Sequence, residues 1–348
     1  MIVVNNPGSW KYVYAPLRHA KWHGWTPTDL VFPFFLFIVG VSLSFSLSKR
    51  KAESRENFPL YAKIFRRTII LFGLGLCLYL VPRFDFSTLR IPGVLQRIAV
   101  CYLLASLIFL KVKPGMRLPM SLGLLAAYWL VLKLIPVPGY GAGVLAPEGN
   151  LCGYIDTKFL SGHLYTPAFD PEGILSTFPA LVTTLLGTFT GDWLRTSRSK
   201  TVKVSTLFAA GFVFTLSGLW LDRFLPINKQ LWTSTYVIFT AGAALIVLGI
   251  CYMIVDIWKI KKWSYPFLVF GTNAITVYVG SSLLAKALGF IHISSGRETI
   301  SLKSFIYGKL LAPWAGDYVG SLLFPLLLLL IWFFILLPLY KKRIFIKI

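Results

Sequence analysis

Residues His19–Lys51 read HAKWHGWTPTDLVFPFFLFIVGVSLSFSLSKRK. An uncharged run from Leu30 to Leu47 separates a polar, tryptophan-bearing entrance from a basic exit at Lys49, Arg50 and Lys51. A helix needs about 20 apolar residues to cross a bilayer, and clustered Lys and Arg mark the cytoplasmic side. The stretch therefore reads as one membrane crossing, entered from outside near His19 and left inside at Lys51.

The same pattern recurs along the chain. Further apolar runs occupy Thr68–Val81, Ile98–Leu110, Leu118–Pro136, Ile174–Trp193, Ser205–Leu221, Leu231–Val255, Pro266–Ile291 and Val319–Leu339. With 56% hydrophobic and only 14% charged residues in 348, the composition is that of a membrane protein rather than a soluble domain. The predicted fold is an all-α polytopic transmembrane helix bundle of about nine complete spans, forming a single domain over residues 1–348. The opening MIVVNNPGSW has too few apolar residues before Asn5 to span anything and carries no cleavable signal peptide, so either a leading helix is lacking or this is the end of a truncated first helix.

The net charge of +22 suggests nucleic acid in a soluble protein, but its distribution argues otherwise. Segments 48–67, 111–117, 195–203, 259–262 and the tail from 341 hold 21 Lys and Arg, and the loops between them hold 11. Arg97, Lys133 and Lys286 lie inside spans. The alternation holds at every loop, which puts the richer set and the C-terminus in the cytoplasm and the His19 segment outside. No basic cluster accompanies a nucleic-acid recognition motif, so the partner of the charge is the lipid bilayer. Cys77, Cys101, Cys152 and Cys251 form neither a CxxC site nor a disulfide framework. Two outer segments, 137–172 and 290–318, are long enough to be functional, the second with His292, Arg297, Glu298, Trp314 and Asp317. No internal repeat is evident, which lowers the odds of a transporter built from inverted halves.

Polar chemistry gathers at the outer ends of the spans. Thr26-Pro27-Thr28-Asp29 fits a capping box, giving Asp29 a structural role that does not exclude orienting a neighbour. Trp22 and Trp25 read as interface-belt residues. His19 and His23 have the i, i+4 spacing that puts two imidazoles on one helical face. A zinc site lacks its HExxH pattern or a completing Cys/His pair, so the alternatives are plain surface histidines and acid–base or nucleophilic chemistry. Gln96 and Arg97 fall just inside an apolar run, where a charge is a functional candidate or snorkels to the interface. Asp170 reads as an N-cap followed by Pro171 and Glu172, Asn228 as a cap beside Lys229, and Asn273 as an amide near the start of another span. Capping explains each singly; their recurrence on one side suggests a polar cavity.

Assembled, VNNPGSW, HAKWHGWTPTDLVFPFFLFIVGVS, IPGVLQRIAV, DPEGILSTFPA, PINKQLWTSTYV and GTNAITVY resemble, in order, the transmembrane acyltransferases typified by heparan-alpha-glucosaminide N-acetyltransferase and its bacterial relatives. The resemblance runs from Val4 to about Tyr278. It implies a bundle of about ten or eleven helices that binds acetyl-CoA and acetylates an amino sugar at the opposite face. The family's catalytic histidine carries over to His19 rather than His23, and its asparagine and aspartate to Asn5 and Asp29. The leading L-D-x-x-R-G segment of relatives is absent here.

On that resemblance the expected activity is acetyl transfer from acetyl-CoA to the amine of a glucosamine-like sugar, without metal, in a bacterial inner membrane. His19 is expected to act as general base, or as a nucleophile carrying the acetyl group, with Asp29 and Asn5 orienting it. Gln96, Arg97, Asn228, Lys229 and Asn273 are the candidate contacts for acetyl-CoA, and Asp170 and Glu172 for the acceptor. Self-association into a homo-oligomer is left open. The rival function is a transporter or exporter of a sugar or acyl metabolite with no transferase activity, and a third is acyl transfer to another surface-glycan amine or hydroxyl.

Overall fold

The structure, a computed structural model, describes residues 1–52, 58–295 and 298–346. Arg55, Arg297 and Lys347, which entered the charge count, lie outside the described residues. The described chain is mostly helical. In lipid every backbone N–H and C=O must be satisfied within its own segment, so the apolar runs fold as helices.

After the short α1 (Ile2–Asn5) come α2 (Val31–Ala52), α3 (Phe58–Leu80), α4 (Val94–Lys111) and α5 (Pro114–Leu134). A small hairpin, β1 (Pro136–Val137) with β2 (Gly141–Ala142), and α6 (Leu151–Leu160) fill the 137–172 segment. There follow α7 (Thr177–Leu194), α8 (Lys200–Leu221), α9 (Ser234–Tyr252), α10 (Tyr265–Thr272) and α11 (Ala274–Phe290). The hairpin of β3 (His292–Ser295) and β4 (Glu298–Ser301), short helices α12 (Leu302–Phe305) and α13 (Ala312–Ala315), and the long α14 (Asp317–Lys341) complete the chain.

Among the described residues, six helices are long and apolar enough to cross a membrane: α2, α4, α5, α8, α9 and α14. A seventh crossing arises if α10 and α11, bent by 73° at Asn273, count as one. The sequence had suggested about nine. The two that fall short are α3, which carries Lys63, Arg66 and Arg67, and α7, which is diluted by Thr177, Thr183, Thr184, Thr188, Thr190 and Asp192.

The composition of α7 follows from its place. It packs along α2 and against α4, α5 and α9, with most of its residues buried in protein. Helix association in lipid rests on close packing of small residues rather than on a hydrophobic drive. Gly40 of α2 and Gly187 of α7 make that contact: a Cβ on Gly40 would stand 1.9 Å from the Thr184 carbonyl oxygen, and one on Gly187 2.0 Å from that of Phe37.

Two of the apolar cores among the described residues frame the site. One joins α2, α3, α4, α7 and α9 around Leu36, Ala99, Leu185, Trp232 and Tyr236. The other joins α1, α10, α11 and α14 around Val269, Val277, Phe324 and Leu336. A crevice of about 940 Å³ lies between them, lined by Phe35, Leu95, Ile275 and Phe333 among others. The segment after α1 is tied to the start of α14 by Gly8 N donating to the Ser321 carbonyl at 2.9 Å. The starts of α2, α4, α7 and α9 meet at one end of the first core, and there the 9–30, 137–176 and 222–233 segments converge.

Candidate active site

Residues 18–26 are not helical. The i, i+4 spacing therefore does not place His19 and His23 on one helical face, and Gly24 at φ +90° turns the chain between them and α2. What shapes this loop is Asp29, whose side chain is 1% exposed. Its Oδ2 accepts hydrogen bonds from the backbone N–H of Ala20 at 3.0 Å and of Thr26 at 3.1 Å, and from the Thr26 hydroxyl at 3.1 Å. The expected capping box is present, opening a 3₁₀ turn over Pro27–Leu30 that feeds α2. Tyr236 of α9 donates its hydroxyl to the Asp29 carbonyl at 2.5 Å.

The other carboxylate oxygen faces His19. Nδ1 of His19 lies 2.6 Å from Asp29 Oδ1, while the His19 side chain remains 41% exposed. A carboxylate only accepts, so Nδ1 carries a proton, and in the neutral ring the lone pair then sits on Nε2. Lys229 completes the group, its Nζ standing 3.0 Å from Nδ1, 3.5 Å from Nε2 and 3.4 Å from Asp29 Oδ1. Because Nδ1 is already a donor, the ammonium pairs with the carboxylate rather than with that nitrogen. Burial pulls the Lys229 amine below its ordinary value, against the opposing charges of Asp29 and Glu172.

Lys229 is delivered by the 222–233 loop. Asn228 Oδ1 accepts from Leu231 N at 2.8 Å, so Asn228 caps a local turn, and Thr233 rather than Asn228 sits at the N-cap of α9. The Asn228 amide donates to His23 Nδ1 at 3.3 Å, and Gly24 N donates to the Ile227 carbonyl at 2.8 Å, which binds the two loops together. Burial lowers the His23 pKa, opposed by Asp222. Trp22, expected at the lipid interface, instead donates its indole N–H to the Leu145 carbonyl at 2.7 Å and meets Phe169 edge-on.

Beside this group lies a second one. Asp170 does not cap α7, which starts at Thr177 behind an N-cap at Ser176. Its carboxylate grips Arg90 from both oxygens, at 2.8 Å to Nε and 2.6 Å to Nη2, and also accepts from Tyr165 N and Glu172 N. Glu172 takes Arg90 Nη2 at 2.5 Å, and Tyr79 takes Nη1 at 2.8 Å. Glu172 also lines a cavity of about 290 Å³ with Gln96, Arg97, Phe72, Leu104 and Phe178.

Arg97, 2% exposed, gives Nη2 to the Gly173 carbonyl and the Ser176 hydroxyl and lays its guanidinium over Trp232 at 5.0 Å. Its Nε and Nη1 have no partner, nor has either end of the Gln96 amide. Buried polar groups without partners mark a place where something polar binds. Asp156 of α6, wholly buried, accepts from Ile174 N at 2.8 Å; its other oxygen is unpartnered, and burial raises its pKa to about 6.

The structure thus brings together His19, Asp29, Asn228 and Lys229, and next to them Gln96, Arg97, Asp170 and Glu172. Asn5 and Asn273 stand apart. Asn5 ends α1 with an exposed side chain that makes no hydrogen bond among the described residues. Asn273 spends its amide on the C-terminal tail, donating to the Ile344 carbonyl at 3.2 Å and accepting from Ile346 N at 2.8 Å. Arg90, Tyr236 and Asp156 were missed by sequence reasoning. Arg90 carried the only available signal, a cation just before the IPGVLQR segment.

Residues 8–222, which hold His19, Asp29, Arg97 and Glu172, match the family model described as heparan-alpha-glucosaminide N-acetyltransferase, catalytic. The chain belongs to this family. The heparan-alpha-glucosaminide N-acetyltransferase of Homo sapiens is 32% identical over 83% of the chain and 52% of its own length, and that of Mus musculus 31% over the same shares. The chain spans about half the length of the curated relatives it matches. In this member of the heparan-alpha-glucosaminide N-acetyltransferase family, the matched region ends before Asn228 and Lys229, yet the fold returns both to His19.

Proposed function

We propose that the chain is an integral membrane N-acetyltransferase moving an acetyl group from acetyl-CoA to the amine of a glucosamine-like sugar at the outer face. The observation that carries this reading is an exposed imidazole held at Nδ1 by a buried carboxylate, with Nε2 turned away from that carboxylate. That is the arrangement of a positioned general base. Nε2 takes the proton of the attacking amine, the imidazolium formed is stabilised by Asp29, and the proton passes on to the departing thiolate. Direct transfer is favoured over an acetyl-histidine, because it needs no charged acyl-imidazole held across two half-reactions.

The unspent N–H groups of Arg97 and both ends of the Gln96 amide suit the phosphate or amide groups of acetyl-CoA. Glu172 at the rim of the same cavity suits an amino sugar. The Lys/Arg distribution supports an inner-membrane orientation with the His19 loop outside and the C-terminus cytoplasmic. It also supports nine crossings: α7 is largely buried beside α2 and so tolerates its polar residues, and the Lys63, Arg66 and Arg67 of α3 lie near its basic end, where long side chains reach the interface.

The test is acetyl-CoA turnover by purified protein against a panel of amino sugars. Glucosamine-dependent release of CoA is expected from the wild type, with a loss of about 10²–10⁴-fold in His19→Ala at unchanged thermal stability. Full activity in that variant would overturn the role of His19. Sugar uptake into liposomes with no acetyl-CoA consumption would establish a transporter instead.

A further inference from the structure

The mouth of the site contains an amine of its own. Lys229 Nζ lies 3.0 Å from Nδ1 and 3.5 Å from Nε2 of His19, so a small shift brings it within the hydrogen-bond reach of a general base, and its side chain is 15% exposed. It is anchored there by the turn at Asn228–Leu231 and by Asp29. A primary amine on a sugar and a primary amine on a lysine are the same nucleophile. Whatever brings the acetyl group to an acceptor at His19 brings it to Lys229.

We propose that Lys229 is a self-acetylation site: when no sugar amine occupies the mouth, the protein transfers the acetyl group from acetyl-CoA to its own Lys229. This rests on the acetyl-transfer reading of the site. The neutral amine attacks the thioester carbonyl, and its proton goes to His19 Nε2. A C–N bond forms, the C–S bond breaks, and His19 returns the proton to the thiolate, leaving N-acetyllysine and CoA thiol. Burial lowers the Lys229 pKa and so raises the fraction of neutral amine available.

The product is an amide, which the site has no means of reversing, so acetyl-Lys229 is a dead end and not a carrier. It removes the cation that pairs with Asp29 and sets an acetyl group beside His19, which closes the mouth. The modification acts as a brake on futile use of acetyl-CoA, and an acceptor sugar protects against it. It also creates a trap for interpretation, because a labelled protein isolated without acceptor looks like an acyl-enzyme. Hydroxylamine separates the two: it strips acetyl-imidazole and leaves the amide of acetyllysine.

The experiment incubates the full chain with radiolabelled acetyl-CoA and no amine, treats it with neutral hydroxylamine, and maps the remaining label by peptide mass spectrometry. Glucosamine turnover is measured on the same preparation. The expected result is resistant label approaching one acetyl per chain at Lys229. It should form at least about tenfold faster than on exposed lysines such as Lys11 and Lys21, consistent with general-base assistance. Glucosamine should suppress it, and His19→Ala and Lys229→Arg should lack it. Glucosamine turnover with Lys229 unmodified, or Lys229 acetylation as fast in His19→Ala as in wild type, overturns the inference and leaves the transferase reading standing. If neither glucosamine nor Lys229 is acetylated, the transferase reading falls and this inference with it.

Discussion

Asp29 and Asp170 are both buried carboxylates at the same end of the bundle, and each organises a loop through backbone N–H bonds. They differ in what they hold. Asp170 grips a guanidinium each of whose nitrogens is bonded, to Asp170, Glu172 or Tyr79, and which carries no lone pair to act as a base. Asp29 grips an imidazole by one nitrogen only, on a side chain that is 41% exposed. A carboxylate paired with a guanidinium bonded on every nitrogen is a clasp. Paired with an exposed imidazole, it suits the general-base role proposed for His19.

The sharpest way to break that contrast is to neutralise each carboxylate in turn. Asp29→Asn keeps the shape but offers an N–H where an acceptor is needed, so His19 adopts the wrong tautomer. The expected loss in kcat is about 10²–10⁴-fold, read as acetyl-CoA turnover at saturating donor and acceptor. Asp170→Ala should do the opposite. It leaves Arg90 underpaired inside the protein and costs about 3 kcal/mol of stability, read as a drop in thermal midpoint in detergent. The folded fraction should keep its kcat well within the roughly 10²-fold loss that removal of an acid–base group causes. If Asp170→Ala instead abolished turnover without loss of stability, Asp170 would belong to the chemistry and the contrast would fail.

The same contrast marks what the sequence could convey. The capping box at Thr26–Asp29 was legible, and so were most of the expected spans, six or seven of which are helices long and apolar enough to cross, because hydropathy and turn chemistry are properties of neighbouring residues. The partners were not: Lys229 reaches His19 across 210 positions and Arg90 reaches Asp170 across 80, and no local pattern encodes such pairings. Treating the 19–23 spacing as helical failed because the Asp29 carboxylate bonds the loop N–H groups at Ala20 and Thr26 and holds the segment open. The start of α7 was placed early because Asp170 looks like a cap, whereas its oxygens are taken by Arg90 and a tight turn. Helix α7 itself was counted as an ordinary span because burial inside a bundle, which frees a helix from being apolar, cannot be seen in its own residues.

Asp156 extends the comparison to a carboxyl group with no cation bonded to it. Burial raises its pKa from 3.8 to about 6, with the Ile174 N–H bond opposing. A raised carboxyl favours the protonated form in the folded protein. Its stabilising contribution is therefore full below the unfolded value near 3.8 and is lost as pH rises through about 6, a change of about 3 kcal/mol. Thermal midpoints measured between pH 4 and 7 should show this component falling in the wild type. Asp156→Asn, whose side-chain oxygen can still accept from Ile174 N, should remove it. A wild-type and variant pair with identical pH profiles would show that Asp156 does not titrate in this range.

The smallest expected effect concerns the other histidine, and it decides whether His19 acts alone. His23 is exposed, and its Nδ1 accepts a single 3.3 Å hydrogen bond from Asn228. Its loop remains tied to the 222–233 segment by the Gly24–Ile227 backbone bond when that contact is removed. One such hydrogen bond contributes about 0.5–1.5 kcal/mol, so His23→Ala should lower stability slightly and kcat by less than about tenfold. The position of Lys229, one residue beyond Asn228, is the route by which even that modest loss would reach His19. A defect in His23→Ala as large as in His19→Ala, at equal stability, would mean that the two imidazoles work as a pair and that Nε2 of His19 is not sufficient for the reaction.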